Sequence, residues 1–285
     1  VLQTAETICP EQTLYTAPRG DGSTTNKSEL KHSDLMPGFS RDRKKPPYVK
    51  EKSSVGVACC RIKDGKPEIL LICKRYTYAY DSFVHGRYSS GKHSELIILF
   101  NGMTADEKLD IMSLNFKQIW YRVWLNSAQK MSNYMVAKNK FESTFCMDGG
   151  AKLKRLIGKS NINASRVWEV PKGRRKNKSE ADIHAAIREF YEETGVAKKH
   201  YSLFPNQTKS YSYISDGTRY TNTYYLAYTR LMFSARIDFN HSSQLDEISD
   251  IKWMDIDAIR HVDISGRIES LVKPVFKYVK KQIKK

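Results

Sequence analysis

Gly173 to Val196 reads GRRKNKSEADIHAAIREFYEETGV, and the meaning of this stretch decides the fold. Residues 181–194 hold no proline or glycine, and Gly195 stands where a helix would end on a left-handed cap. In such a helix Glu189, Glu192 and Glu193 stand at i, i+3 and i+4, so they share a face. Three carboxylates on one face repel one another unless a cation lies between them. Hard oxygen donors of this kind suit Mg2+ or Mn2+. Ile183, Ala186, Ile187 and Phe190 fall on a different face, about a third of a turn away, and are expected to pack on a sheet. Arg188 precedes Glu192 by four residues and can hold a carboxylate in orientation. Glu-rich surface helices are common, so the three carboxylates alone leave a metal site and a solvated face both open.

The spacing around them is more specific. The segment resembles the Nudix box, G-x5-E-x7-R-E-U-x-E-E-x-G-U, where U is bulky and apolar. Gly173, Glu180, Arg188, Glu189, Phe190, Glu192, Glu193, Gly195 and Val196 fill its defined positions. One departure is present: six residues, not five, separate Gly173 from Glu180, and the extra one falls in a loop, where insertions are tolerated. The chain is identified as a member of the Nudix hydrolases. The resemblance implies an α/β fold, an α/β/α sandwich around a mixed sheet, and metal-dependent cleavage of a phosphoanhydride bond.

The flanks narrow the resemblance. Trp168 to Gly173 (WEVPKG) is similar to the strand-and-turn entry of mRNA-decapping Nudix enzymes. Lys74-Arg75-Tyr76, Trp120-Tyr121 with Trp124, Ala186 to Gly195 and Asp246 to Trp253 resemble the decapping enzymes of large cytoplasmic DNA viruses, the poxvirus and African swine fever virus type, with a giant-virus relative the best fit. The likeness spans about residues 54–280. It implies that Glu189 and Glu193 bind metal, and that Glu192 binds metal or takes the proton of the attacking water. Arg188 would orient the carboxylates, and Gly173, Glu180 and Gly195 would be structural. Glu247 is the candidate for a further ligand or alternative base, against a plain surface carboxylate. Lys172, Lys74 and Arg75 are candidates to hold phosphate, with surface charge the alternative for the last two. The implied reaction releases 7-methylguanosine diphosphate from capped mRNA and leaves 5′-monophosphate RNA. Tyr76, Tyr78, Tyr80, Phe83, Tyr211 and Tyr213 are candidates to stack on the cap base, and no spacing picks out a pair.

Outward from the box, four regions are expected. Residues 1–52 are polar, basic and broken by proline and glycine, and read as disordered, either a solvated leader or a phosphate-binding arm. Residues 53–86 hold two strands, Val55–Ile62 and Ile69–Lys74, joined by the hairpin signal Lys63-Asp64-Gly65-Lys66. Residues 87–160 read as a helical insertion. Thr104 and Glu107 form a capping box, and Phe116, Ile119, Trp120, Val123 and Trp124 make one helical face, core rather than base-stacking. Lys152, Lys154, Arg155 and Lys159 gather in its last helix. Residues 161–285 complete the domain, with strands near 166–170, 209–214, 220–229 and 251–254 and a C-terminal helix over 265–280.

Bulk properties agree with a polyanion as substrate. Lys+Arg number 48 against 31 Asp+Glu, a net charge of +17, which draws nucleic acid, an anionic membrane or a polyphosphate, with a purely solubilising charge the alternative. Five cysteines, Cys9, Cys59, Cys60, Cys73 and Cys146, form no C-x-x-C pair, so neither zinc nor a disulfide framework is expected and a reducing compartment is. No apolar run approaches a membrane span, and no basic-then-apolar leader opens the chain, so the cytoplasm (of a host, if viral) is the expected location. A diphosphoinositol polyphosphate phosphohydrolase is the alternative, since a basic cleft would also hold an inositol pyrophosphate. Free nucleotides fit the charge less well, and an inactive RNA-binding module fits poorly with an intact carboxylate set.

Overall fold

The computed structural model describes residues 50–124, 131–215, 217–240, 242–263 and 265–283. The expectation of a disordered leader over 1–52 therefore lies outside them, except at its end. There Lys50–Lys52 are strand, because they pair in parallel with Thr218–Tyr220.

Strand β1 (Lys50–Lys63) and strand β2 (Lys66–Lys74) form the expected hairpin. Its two-residue turn, Asp64 at φ 49° and Gly65 at φ 74°, has the left-handed pair that matches strand twist. Val55 to Cys60 is buried without alternation, which means that both faces of the sheet are covered.

Among the described residues six α-helices follow: α1 (Tyr78–Val84), α2 (His93–Asn101), α3 (Ala105–Ser113), α4 (Phe116–Val123), α5 (Met131–Phe141) and α6 (Ala151–Gly158). They are short, and α1, α3 and α4 are opened by side-chain caps. Thr77 caps α1, and reciprocal capping boxes open α3 (Thr104 with Glu107) and α4 (Asn115 with Gln118). Their aromatic residues, with Phe145 of the π-helical turn Glu142–Cys146, bury one another, and Phe83, Phe100, Trp120, Phe141 and Phe145 stand at the centre. This core starts at Tyr80, so the helical block begins at Tyr78 and not at residue 87. The reason is that the aromatic run after β2 packs on α2 and α4 rather than on the sheet.

Strands β3 (Trp168–Glu169) and β4 (Lys172–Gly173) lead into helix α7 (Asp182–Thr194), which ends on Gly195 at φ 70°. Then come β5 (Ser202–Ser215), β6 (Thr218–Tyr228), α8 (Ser242–Glu247), β7 (Ile248–Met254), α9 (Ile256–Val262) and α10 (Arg267–Ile283). The sheet runs β3-β2-β1-β6-β5, with β4 on β1 and β7 on β2. It is mixed, because β1 and β6 are parallel while the other pairs are antiparallel. One face carries α7 through Ala185, Ala186 and Phe190 against Val55, Val57 and Ile72. The other carries α9 and α10 through Ile259, Val272, Val275 and Val279 against Ala58, Leu71 and Leu226. The layers are thus α/β/α.

One detail of α7 differs from its reading. Ile183 is 36% exposed, and Ala185 takes its place in the packed face. Two adjacent alanines let the helix axis approach the sheet, which turns the bulkier Ile183 outward.

Candidate active site

Beyond the hairpin, β1 and β2 part. β6 and β7 occupy their outer edges, so β3 and β4 lie in the gap between them: Ile72 pairs with Glu169, and Gly56 with Lys172. Two glycines make this possible. A methyl on Gly56 would overlap Pro171 O and lie 2.8 Å from Lys172 Cβ. A methyl on Gly173 would lie 2.5 Å from Glu189 Oε1 and closer still to Cδ and Oε2. The inserted turn can therefore lie flat on β1, and the Glu189 carboxylate can rest directly on its backbone.

Lys74 and Arg188 each hold several of the carboxylates, and Lys172 and Lys176 add one contact apiece, to Glu169 and Glu192. Lys74, at the end of β2, places its ammonium 2.8 Å from Glu193 Oε1, 3.1 Å from Glu247 Oε2 and 3.7 Å from Glu169 Oε1. Glu193 also accepts the Lys172 backbone N–H at 2.8 Å. Glu169 accepts the Lys172 ammonium at 2.7 Å and the Tyr78 hydroxyl at 2.7 Å, both on Oε2. The second cation is Arg188. Its guanidinium donates to Glu180 at 2.8 and 3.1 Å, to Glu189 at 2.7 Å and to Glu192 at 3.0 Å. It also donates to Arg174 O at 2.9 Å, while Glu180 accepts the Lys176 N–H, so Arg188 fastens the loop before α7 to the helix.

Burial and charge set the protonation states. Burial pushes the Glu193 carboxyl up to about 7, against the pull of Lys74; Glu169 adds to the rise. Glu189 is raised as well, mainly by burial, with Arg188 opposing. Glu169 is also buried, but Lys172 and Lys74 outweigh that cost and hold its carboxyl below the usual range. Lys74 and Lys172 are raised, since their carboxylate partners overcome desolvation. Hydrogen bonds from Arg188 and the Lys176 backbone pull Glu180 down to about 2.

The four carboxylates expected as ligands are brought to one region but not to one point. Glu193 and Glu247 share Lys74, and Glu189 and Glu192 share Arg188. Among the described residues, no three His, Cys, Asp or Glu side chains gather closely enough to enclose a metal ion. The donor set nevertheless fits a hard divalent cation. It is all carboxylate oxygen, two of its members, Glu193 and Glu247, already share one cation in Lys74, and the buried Glu169 Oε1 beside them has no hydrogen-bond partner.

Of the expected phosphate-holding groups, Lys74 and Lys172 lie within the carboxylate cluster. Arg75 turns to Leu245 O at 3.1 Å and to the Tyr76 ring, and lines a groove of about 720 Å³ with Lys117, Tyr121 and Arg122. Glu247 is 63% exposed at the rim. Tyr80 and Phe83 are corrected from cap-stacking candidates to core residues, because both are fully buried among the helices. Tyr76 packs beside that core with its hydroxyl on Arg122 O. Tyr78 differs: its hydroxyl touches the site while the residue is 58% exposed. Trp120 is buried and Trp124 packs against the same core. Glu169 was missed as a site residue. Its only sequence signal is its place before Pro171-Lys172-Gly173.

Residues 152–272 match the family model of the NUDIX domain. Over 242 residues the chain is 34% identical to the mRNA-decapping protein g5R of African swine fever virus (isolate Pig/Kenya/KEN-50/1950), covering 82% of this chain and 98% of that protein. It is 26% identical over 216 residues to a protein of Acanthamoeba polyphaga mimivirus, covering 66% of this chain and 58% of the relative. Among solved structures, the C. elegans Ap4A hydrolase superposes with a TM-score of 0.40 at 13% identity, over 80% of this chain and 97% of that one.

Proposed function

The chain belongs to the Nudix family, and we propose that within it this protein removes the 5′ cap of mRNA, releasing 7-methylguanosine diphosphate and 5′-monophosphate RNA. The observation that carries this reading is the likeness to g5R. At 82% of the chain it cannot come from the second half of the catalytic domain alone, so it takes in the helical block as well. A net charge of +17 suits a substrate with a long phosphate tail. If the chain is viral like these relatives, it meets that substrate in the host cytoplasm.

Glu189, Glu193, Glu192 and Glu247 would hold divalent ions, Mg2+ or Mn2+. Bound there, the ions supply neutralisation of the diphosphate charge and a water of lowered pKa. The rest falls to the chain. Arg188 keeps Glu189 and Glu192 turned toward the cleft and fastens the loop that Gly173 opens. Lys172 and Lys74 present fixed positive charge to the phosphates. Either Glu192 or Glu193 takes the proton of the attacking water, and Glu247 stands at the rim as a further ligand or alternative base. Arg75 offers a further positive charge to a phosphate at the mouth of the groove beside α4.

The test uses RNA labelled in its cap and, in parallel, a diphosphoinositol polyphosphate. Metal-dependent release of 7-methylguanosine diphosphate, blocked by EDTA and by Glu193→Gln, is expected. Loss of a β-phosphate from the inositol substrate, with no cap product from RNA, would overturn decapping and leave the carboxylate chemistry standing.

A further inference from the structure

Lys172 does not stand alone at the edge of the site. It pairs with Gly56 of β1, which pairs in turn with Tyr224 of β6, which faces Lys209 of β5. Paired residues share a face, and so do residues two apart along a strand. The next row on this face is therefore Ser54, Asn222 and Tyr211, and the row after it is Lys52, Tyr220 and Tyr213. From Tyr224 to Tyr220 is four residues, roughly 13 Å at about 3.3 Å per residue.

The last two rows carry aromatic rings in mutual contact. Tyr213 and Tyr220 stack at 5.2 Å and 12°, and Tyr211 lies 5.9 Å from Tyr213. All three are part-exposed. Lys52 stands over Tyr220 at 5.4 Å, and Arg267, the first residue of α10, stands over Tyr213 at 5.5 Å. These rows contain no carboxylate. Core packing does not account for the rings: the buried cluster under α10 takes in Tyr224 and Leu226 of β6 and stops short of Tyr220.

We infer that Tyr211, Tyr213 and Tyr220 form a stacking platform for the single-stranded RNA body of the substrate, set off from Lys172 by the buried Tyr224 and Asn222. This rests on the decapping reading. Base on ring supplies sequence-tolerant affinity, and Lys52, Lys209 and Arg267 supply charge to the phosphates between bases. The platform lies on the sheet and not on the helical block, so it extends the site in a direction that the groove beside α4 does not.

The experiment measures binding of a single-stranded 5′-monophosphate RNA and of an abasic strand of equal length to wild type and to Tyr213→Leu/Tyr220→Leu. The double variant should bind the RNA about tenfold or more weakly, since each stacked base is worth several-fold or more in affinity. It should bind the abasic strand as wild type does, and the slope of affinity against salt should not change. An equal loss on both strands, or no loss on either, overturns the platform. In case the double variant folds poorly, Tyr213→Phe and wild type are tested by photo-crosslinking of 4-thiouridine RNA. Adducts should map to 211–220 in both proteins, and adducts confined to the helical block would overturn the proposal. Cap release by wild type is scored separately. Cap product without base-dependent binding sinks the platform alone, whereas absence of cap product sinks the decapping reading.

Discussion

Gly173→Ala separates the position of a carboxylate from the stability of the fold. The added methyl would lie 2.5 Å from Glu189 Oε1, and ordinary contact begins at 3.4 Å. The Glu189 carboxylate must therefore retreat by about 1 Å or more, a displacement of the size that costs roughly 10²-fold in rate when it falls on a reacting group. The fold has little reason to suffer. The obstructing atoms are the end of a flexible side chain, Gly173 is not among the positive-φ glycines, and Arg188 keeps its bonds to Glu180 and Glu192. Weakening one contact of a part-buried ion pair costs stability and a stiffer unfolded chain returns some of it, leaving a loss of about 1 kcal/mol. Gly56→Ala is the contrast. Its methyl would overlap the backbone oxygen of Pro171, which cannot rotate away, and a cost of about 2–3 kcal/mol is expected. Both variants are measured by urea unfolding and by single-turnover release of the cap with Mg2+ and with Mn2+. A Gly173→Ala protein with wild-type rate and metal dependence would refute the argument that Glu189 acts from this position. A Gly173→Ala protein as unstable as Gly56→Ala would refute the argument that the side chain yields.

Three further outcomes follow from the geometry. In metal-free protein the Glu193 carboxyl is raised to about 7 from 4.5, chiefly by burial, so its contribution to stability is full below about pH 4.5 and is lost as pH rises through 7. On the order of 3 kcal/mol should disappear across that window in wild type, while Glu193→Gln should show a flatter profile in EDTA; parallel profiles would refute this. Glu107 is buried and accepts from Thr77 N and Oγ1 at 2.7 Å and from Thr104 N at 2.9 Å, joining α1 to α3. Glu107→Ala strands those donors and should cost about 2–4 kcal/mol by chemical denaturation, a change under 1 kcal/mol being the contrary result. Glu180→Gln loosens the grip of Arg188 on the loop before α7, so hydrogen exchange at the Lys176 amide should speed up while amides of the β1–β2 hairpin stay protected; unchanged exchange at Lys176 would show that the loop is held by other means.

Much of this protein was legible from residues near one another in the chain. The i, i+3, i+4 carboxylates, the Gly195 cap, the Asp64-Gly65 hairpin and the Thr104–Glu107 capping box depend on backbone geometry over a few positions, which a sequence displays directly. Arg188 with Glu192 belongs to the same class. The start of the helical block at Tyr78 and the outward turn of Ile183 were not legible, since both depend on what packs alongside. Nor could the sequence show that Lys74 would bond to Glu193 across 119 positions and to Glu247 across 173, or that Glu169 would join them. Local spacing places three carboxylates on one helix face. Their division between two cations, and the proton affinity of Glu193 near neutrality, were decided only when β3 and β4 entered the gap between β1 and β2 and removed water from one carboxylate more than from its neighbours. Desolvation depends on every atom within several ångströms, and those atoms come from strands and helices far apart in the sequence.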